Sequence, residues 1–211
     1  MGARFLDDDA RAAFRRAIEA IEGASAVEVV VAVRRRSGTY HHANVVVGAA
    51  VAFAALATML FAEHAFSLPS ILVDPFVVGV LAGAAIELAP HAKRALAPRA
   101  LRHREVTRAA RAAFVDRGVH ATTGRTGVLV YISWLEQQIA LVADLSLVRA
   151  LGADAIARAE RELTAAMQGG GSAVARRLEA LAPAMAAVLP HSPDDVNELP
   201  DAIDDEAGAT P

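Results

Sequence analysis

The sequence predicts an α/β fold: a small sheet of three or more strands flanked by helices, interrupted by a two-helix transmembrane hairpin. Three observations carry that expectation. Apolar residues recur at helical spacing toward both ends of the chain, and β-branched runs of strand length lie at residues 27–33 and 128–133. Two long stretches with almost no charge fill residues 44–90. Hydrophobic residues make up 55% of the 211, aromatics only 5%, and the excess of alanine and valine suits helices with small side chains.

Residues 1–40 are the first part of the domain. Ala10, Ala13, Phe14, Ala17, Ile18 and Ile21 follow an i, i+3, i+4 pattern, so a helix is expected there, with Asp8 or Asp9 as its cap and Gly23 as its end. Asp7, Asp8 and Asp9 diverge around a helix start, which disfavours a shared metal. The triple acid also stands where a signal peptide needs an apolar stretch. Leu6 stands where myristoylation needs Ser or Thr. The run VEVVVAV at residues 27–33 then reads as a buried strand.

Residues 44–90 are expected to be the transmembrane hairpin. Residues 44–62 contain no charge and show no polar face, and a span needs about 20 apolar residues. The second run, residues 66–89, carries Asp74 and Glu87 near its ends, with Pro69 and Pro75 near a helix start. Arg34, Arg35 and Arg36 precede the pair, and Lys93, Arg94, Arg99, Arg102 and Arg104 follow it, while the connection EHAFSLPS has no Lys or Arg. By the positive-inside rule both termini face the cytoplasm, with the basic flanks against anionic headgroups.

Residues 99–190 are the remainder of the domain. A helix is expected from about 101 to 117, stopped by Gly118. Strands follow at 128–133 and 139–143, joined by WLEQQ as an antiparallel hairpin. Helices are expected at about 154–167 and 172–189, separated by QGGGS. The first strand cannot stand alone, so it joins the later pair in one sheet. Residues 191–211 form an acidic, proline-punctuated tail, expected to be largely disordered.

The chemistry legible in the residues is limited. The net charge of −3 argues against a nucleic-acid partner, and the absence of cysteine excludes disulfides and thiolate chemistry. The turn TTGRTG is not a phosphate loop of the G-x-x-x-x-G-K-[ST] type, because its glycines precede a strand. Arg125, Thr126 and Thr123, with Thr122, could hold an anion through guanidinium and hydroxyl donors, or the threonines could satisfy their own turn. Asp144 and Glu28 sit at strand ends and could meet, with Glu136 also at an end, to bind a cation such as calcium or magnesium. They could equally be edge charges, or a helix cap in the case of Asp144. The histidines have no spacing that builds a zinc site. Trp134, in the strand turn, reads as a partner or lipid contact.

Residues 20–33 (AIEGASAVEVVVAV), the RSGTY after them and residues 113–144 (AFVDRGVHATTGRTGVLVYISWLEQQIALVAD) resemble the TPM domain family, found in bacterial membrane proteins and in photosystem-maintenance proteins. The resemblance covers about 80 to 90 residues, interrupted by the apolar pair. Ser37 and Tyr40 also resemble family positions, although a strand-to-membrane turn accounts for both. The resemblance implies helices on a small sheet, with a role in assembly or maintenance of membrane components. Phosphatase activity and divalent-cation binding, ascribed to some plant members, imply a rival reading centred on Asp144, Glu28 and Arg125. The expected setting is a bacterial inner (cytoplasmic) membrane, with the lipid bilayer and other membrane proteins as partners.

Overall fold

The structure is a computed structural model describing residues 5–191, 198–199 and 203–205. It divides into two compact units, Met1–Ser37 with His103–Pro211, and Gly38–Arg102.

The first unit is built on a four-stranded mixed sheet. Helix α1 (Asp8–Ala24) leads into strand β1 (Val29–Arg34). The six α1 residues picked out by periodicity are the ones that it buries. Its cap is Asp7, one residue earlier than expected, whose carboxylate accepts the Ala10 N–H at 2.7 Å. The helix also runs one residue past Gly23, to a Ser25 cap. Helix α5 (Arg99–Asp116), whose first residues belong to the second unit, ends near Gly118, which takes a left-handed φ of 66°. Strands β2 (Val128–Ser133) and β3 (Gln138–Ala143) then form the expected antiparallel hairpin.

Sheet order is β3-β2-β1-β4, with β1 parallel to β2 in the register Val29 opposite Val128 through Arg34 opposite Ser133. Odd-numbered β1 residues Val29, Val31 and Val33 pack with Phe14, Ile18 and Ile21 of α1 on one face. Val30 and Ala32 pack with Val106 and Ala110 of α5 on the other. Burial on both faces explains why β1 and β2 read as unbroken apolar runs rather than alternating ones.

The remaining helices of this unit are α6 (Leu145–Leu151), α7 (Ala153–Ala166), α8 (Gly171–Glu179) and α9 (Ala182–Val188). Helix α6 was not expected, and the helix anticipated at 172–189 is broken at Ala180–Leu181, with Pro183 in the first turn of α9. Strand β4 is Asp204–Asp205, pairing in parallel with Ala32 and Val33 of β1. Part of the tail expected to be disordered is therefore a sheet strand, while residues 192–197, 200–202 and 206–211 lie outside the described residues.

The second unit holds helices α2 (His41–Phe61) and α3 (Leu68–Ala85), a 3₁₀ turn at Ile86–Leu88 and helix α4 (Pro90–Leu96). The spans His41–Phe61 and Leu68–Leu88, 21 residues each, are long and apolar enough to cross a membrane. At about 1.5 Å per residue each is about 31 Å long, matching a hydrocarbon core of about 30 Å. The two helices run antiparallel and touch backbone to backbone. A Cβ on Gly79 would lie 2.6 Å from the Gly48 carbonyl and 2.7 Å from the Ala52 Cβ, and one on Gly83 would lie 2.7 Å from the Asn44 carbonyl. Only glycine permits that approach. Large side chains such as Val45, Phe53, Leu60, Leu72, Phe76 and Leu81 point outward and are exposed. At one end Glu87 accepts from Asn44 at 3.0 Å and pairs with Lys93.

Candidate functional site

Arg125, Thr126, Thr123, Glu28 and Asp144 fall at one end of the sheet, where β1 and β2 begin and β3 ends. Gly127 sits there because its position has no room for a side chain: a Cβ would lie 2.2 Å from the Val119 carbonyl. Its carbonyl accepts the Asp144 N–H at 2.8 Å, so the ladder continues one residue past β3. That fixes Asp144 opposite the TTGRTG turn.

The turn closes through Arg125 N–H donating to the Thr122 carbonyl at 3.0 Å, which sets Arg125 in the left-handed region at φ 54°. The glycines on either side do not carry that conformation; the arginine does, at an energetic cost for an L side chain. Its side chain points back along the sheet end. Arg125 Nε donates to Asp144 Oδ2 at 2.7 Å and a terminal nitrogen donates to Oδ1 at 2.8 Å, a two-pronged ion pair. Asp144 Oδ1 also accepts the Leu145 N–H at 2.6 Å and caps α6. The Arg125 carbonyl accepts the Ser146 N–H at 3.1 Å, and the Gly124 carbonyl accepts the Ser146 hydroxyl at 2.8 Å. Turn and helix start are thus stitched together by four separate groups.

Asp144 is 4% exposed. Burial pushes its carboxyl up, but hydrogen bonds from Arg125 and the Leu145 N–H, with the charges of Arg125 and His120, outweigh that and hold it below the usual carboxylate range. The same hydrogen bond and charge raise the Arg125 guanidinium.

Thr126 and Thr122 are buried, and Thr122 Oγ1 accepts the Thr126 N–H at 3.2 Å, so these threonines serve their own turn. The Thr123 N–H donates to Glu198 at 2.9 Å, drawing that turn toward the C-terminal segment. Of the anion-binding candidates Thr123 and Arg125 are exposed, and the Arg125 guanidinium, more than half exposed, lies beside a carboxylate.

Glu28 is on the same sheet end, its carbonyl accepting the Val128 N–H at 2.8 Å. It is two strands from Asp144, with Gly127 between them, or about 10 Å at the usual strand spacing. Its carboxylate accepts the Glu198 and Leu199 N–H groups, both at 3.3 Å. A cation bridging Glu28 and Asp144 would have to displace these donors and sit beside the Arg125 guanidinium. The residues as arranged do not fit a calcium or magnesium ion, and among the described residues no three Asp, Glu or His side chains converge as metal ligands.

Glu136, expected at a sheet end with Asp144 and Glu28 as a cation ligand or an edge charge, is instead fully buried at the opposite end of the sheet. It accepts the Ser37 N–H at 3.0 Å and the Ser133 hydroxyl at 2.5 Å. Ser37 and Ser133 hydroxyls lie 2.6 Å apart, and Ser37 donates to the Tyr131 hydroxyl at 3.2 Å. This network fixes the last residue of the first unit before the chain leaves it. The available signal was the serine that ends β2, Ser133, with a glutamate three residues on. Trp134, in the β2–β3 turn, is half-exposed and stacks against Phe5 with ring centroids 5.3 Å apart.

No family model and no curated protein matches the chain. Among solved structures it is similar to the NMR structure of the BA42 protein from the psychrophilic bacterium Bizionia argentinensis. The likeness covers 97% of this chain and 98% of that one, with a TM-score of 0.60 and 15% sequence identity. At that identity it shows a shared fold and carries no activity across.

Proposed function

We propose that this chain is a membrane-anchored, TPM-like interaction module, holding its sheet domain at the cytoplasmic face of a bacterial inner membrane to bind or maintain other membrane components. The observation that carries this reading is the pair of 21-residue apolar helices with outward-facing valine, leucine and phenylalanine side chains. Such surface is costly in water and matched to lipid. The arginines at 34–36 and the basic residues from Lys93 to Arg104 flank this pair and favour the cytoplasm and anionic headgroups.

The rival reading is a cation-dependent phosphatase using Asp144, Glu28 and Arg125. Each of the two carboxylates is already committed to internal donors, which favours the interaction reading. The discriminating experiment is purification from bacterial membranes in mild detergent, followed by assay with a phosphomonoester and magnesium or calcium. The expected outcome is a membrane-protein partner in fixed ratio and no turnover. Cation-dependent turnover that disappears in a folded Asp144→Ala variant would overturn the proposal.

A further inference from the structure

The two edges of the sheet are closed in different ways. Along β3, α7 supplies the cover: Ile139 N–H donates to Thr164 Oγ1 and Leu141 N–H to Glu160, both at 3.1 Å. That edge is blocked by side chains of a packed helix. Along β1 the cover is main chain from the C-terminal segment, pairing among the described residues Ala32 with Asp204 and Val33 with Asp205.

We propose that the β1 edge is a docking groove for an extended acidic peptide, occupied in this chain by its own tail. Parallel addition of a strand to a sheet edge is a general mode of peptide recognition, with main-chain bonds for affinity and side-chain sites for selectivity. The selectivity elements are all present. Leu199 packs on the α5 face of the sheet beside Val30 and Ala32, and Ile203 packs on the α1 face. Three arginines, from α1, β1 and the turn after α5, then meet the two acids: Arg34 and Arg117 pair with Asp204, and Arg11 pairs with Asp205. Arg34 also donates to the Asp204 carbonyl at 3.0 Å. At the start of the groove the Glu28 carboxylate receives the Glu198 and Leu199 N–H groups. The groove therefore selects an extended segment with a leading leucine, a later aliphatic residue and two consecutive acids.

Aspartate is a poor strand former, so the tail is held by the arginines rather than by propensity. Arg11 and Arg117 are partly exposed, and that part of the grip weakens with salt. A tethered segment competes at an effective concentration of about millimolar, so an outside peptide of equal affinity gains the groove when the tether is loosened. This rests on the reading of the domain as an interaction module and names its surface and partner class, an acidic extended segment of another protein.

The test uses the full chain in detergent, as wild type and as the Asp204→Asn/Asp205→Asn double variant. The probe is a fluorescent peptide with the sequence ELPDAIDDE of residues 198–206, and its control carries Asn at both paired acids. Anisotropy at low salt should show the double variant binding the acidic peptide about tenfold or more tighter than wild type. The control peptide should bind weakly, and adding Arg11→Ala and Arg117→Ala to the double variant should abolish the gain. Equal binding by wild type and double variant, no binding by either, or equal binding of both peptides would overturn the proposal. Failure here leaves the membrane reading standing, because that is read separately by maleimide labelling of single cysteines placed at His64 and Asp154.

Discussion

Replacing Asp144 separates a structural carboxylate from a cation ligand. Its side chain caps α6 through the 2.6 Å bond from Leu145 N–H and holds Arg125 in two bonds of 2.7 and 2.8 Å. Losing an aspartate cap costs about 1 kcal/mol. The Arg125 guanidinium is more than half exposed and rehydrates when its partner goes, so the ion pair adds little to that figure. Asp144→Ala should therefore lower stability by about 1 kcal/mol, or about 2–4 °C in melting temperature. Asp144→Asn keeps a capping oxygen and should lose less. The charge-dependent part carries a pH signature. Because the folded carboxyl titrates below its ordinary range, its contribution is fully present above the unfolded value of about 3.9 and is lost as pH falls through the lower folded value. The gap between wild type and Asp144→Asn should thus be flat from neutral pH down to about pH 5 and close in more acidic solution. The assay is thermal melting followed by circular dichroism, with and without calcium or magnesium. A cation at a hundredfold its Kd would add about 2.7 kcal/mol; the expected addition is none in either protein. A cation-dependent rise in wild type that vanishes in Asp144→Ala would refute the reasoning.

Other consequences follow from the same geometry. Gly79→Val should drive α2 and α3 apart, since its Cβ meets the Gly48 carbonyl at 2.6 Å; overpacking of this kind costs about 1–3 kcal/mol. A lowered melting temperature in detergent, with outward-facing Val80→Leu unaffected, is the expected readout. Glu136→Ala leaves the Ser133 hydroxyl and Ser37 N–H without their buried acceptor and should destabilise by about 2–4 kcal/mol in denaturant titration, with Glu136→Gln milder.

Much of the fold was legible because its signals are periodic or long. The buried face of α1, the β2–β3 hairpin and the two apolar helices all declare themselves in spacing or length. Helix α6 escaped because seven residues give too few turns to show a period, although Asp144 before an apolar run was a usable cap signal. Strand β4 escaped for the opposite reason: two aspartates contradict strand propensity, and they pair only because Arg11, Arg34 and Arg117 converge from distant positions. The site was legible as residues but not as partners. Arg125 stood out as an anion holder and Asp144 as a cation ligand or a helix cap, grouped in the phosphatase reading but not as an ion pair. Their meeting depends on an arginine adopting a left-handed backbone, which no local rule anticipates.

The most direct test of the membrane anchoring uses the chain's lack of cysteine. Single cysteines at His64, in the connection between α2 and α3, and at Asp154, in the first turn of α7, would be treated with a membrane-impermeant maleimide on intact spheroplasts. The account predicts labelling at position 64 from outside, and at position 154 only after permeabilisation. Labelling of both positions from the same side, or recovery of the protein in the soluble fraction, would contradict it.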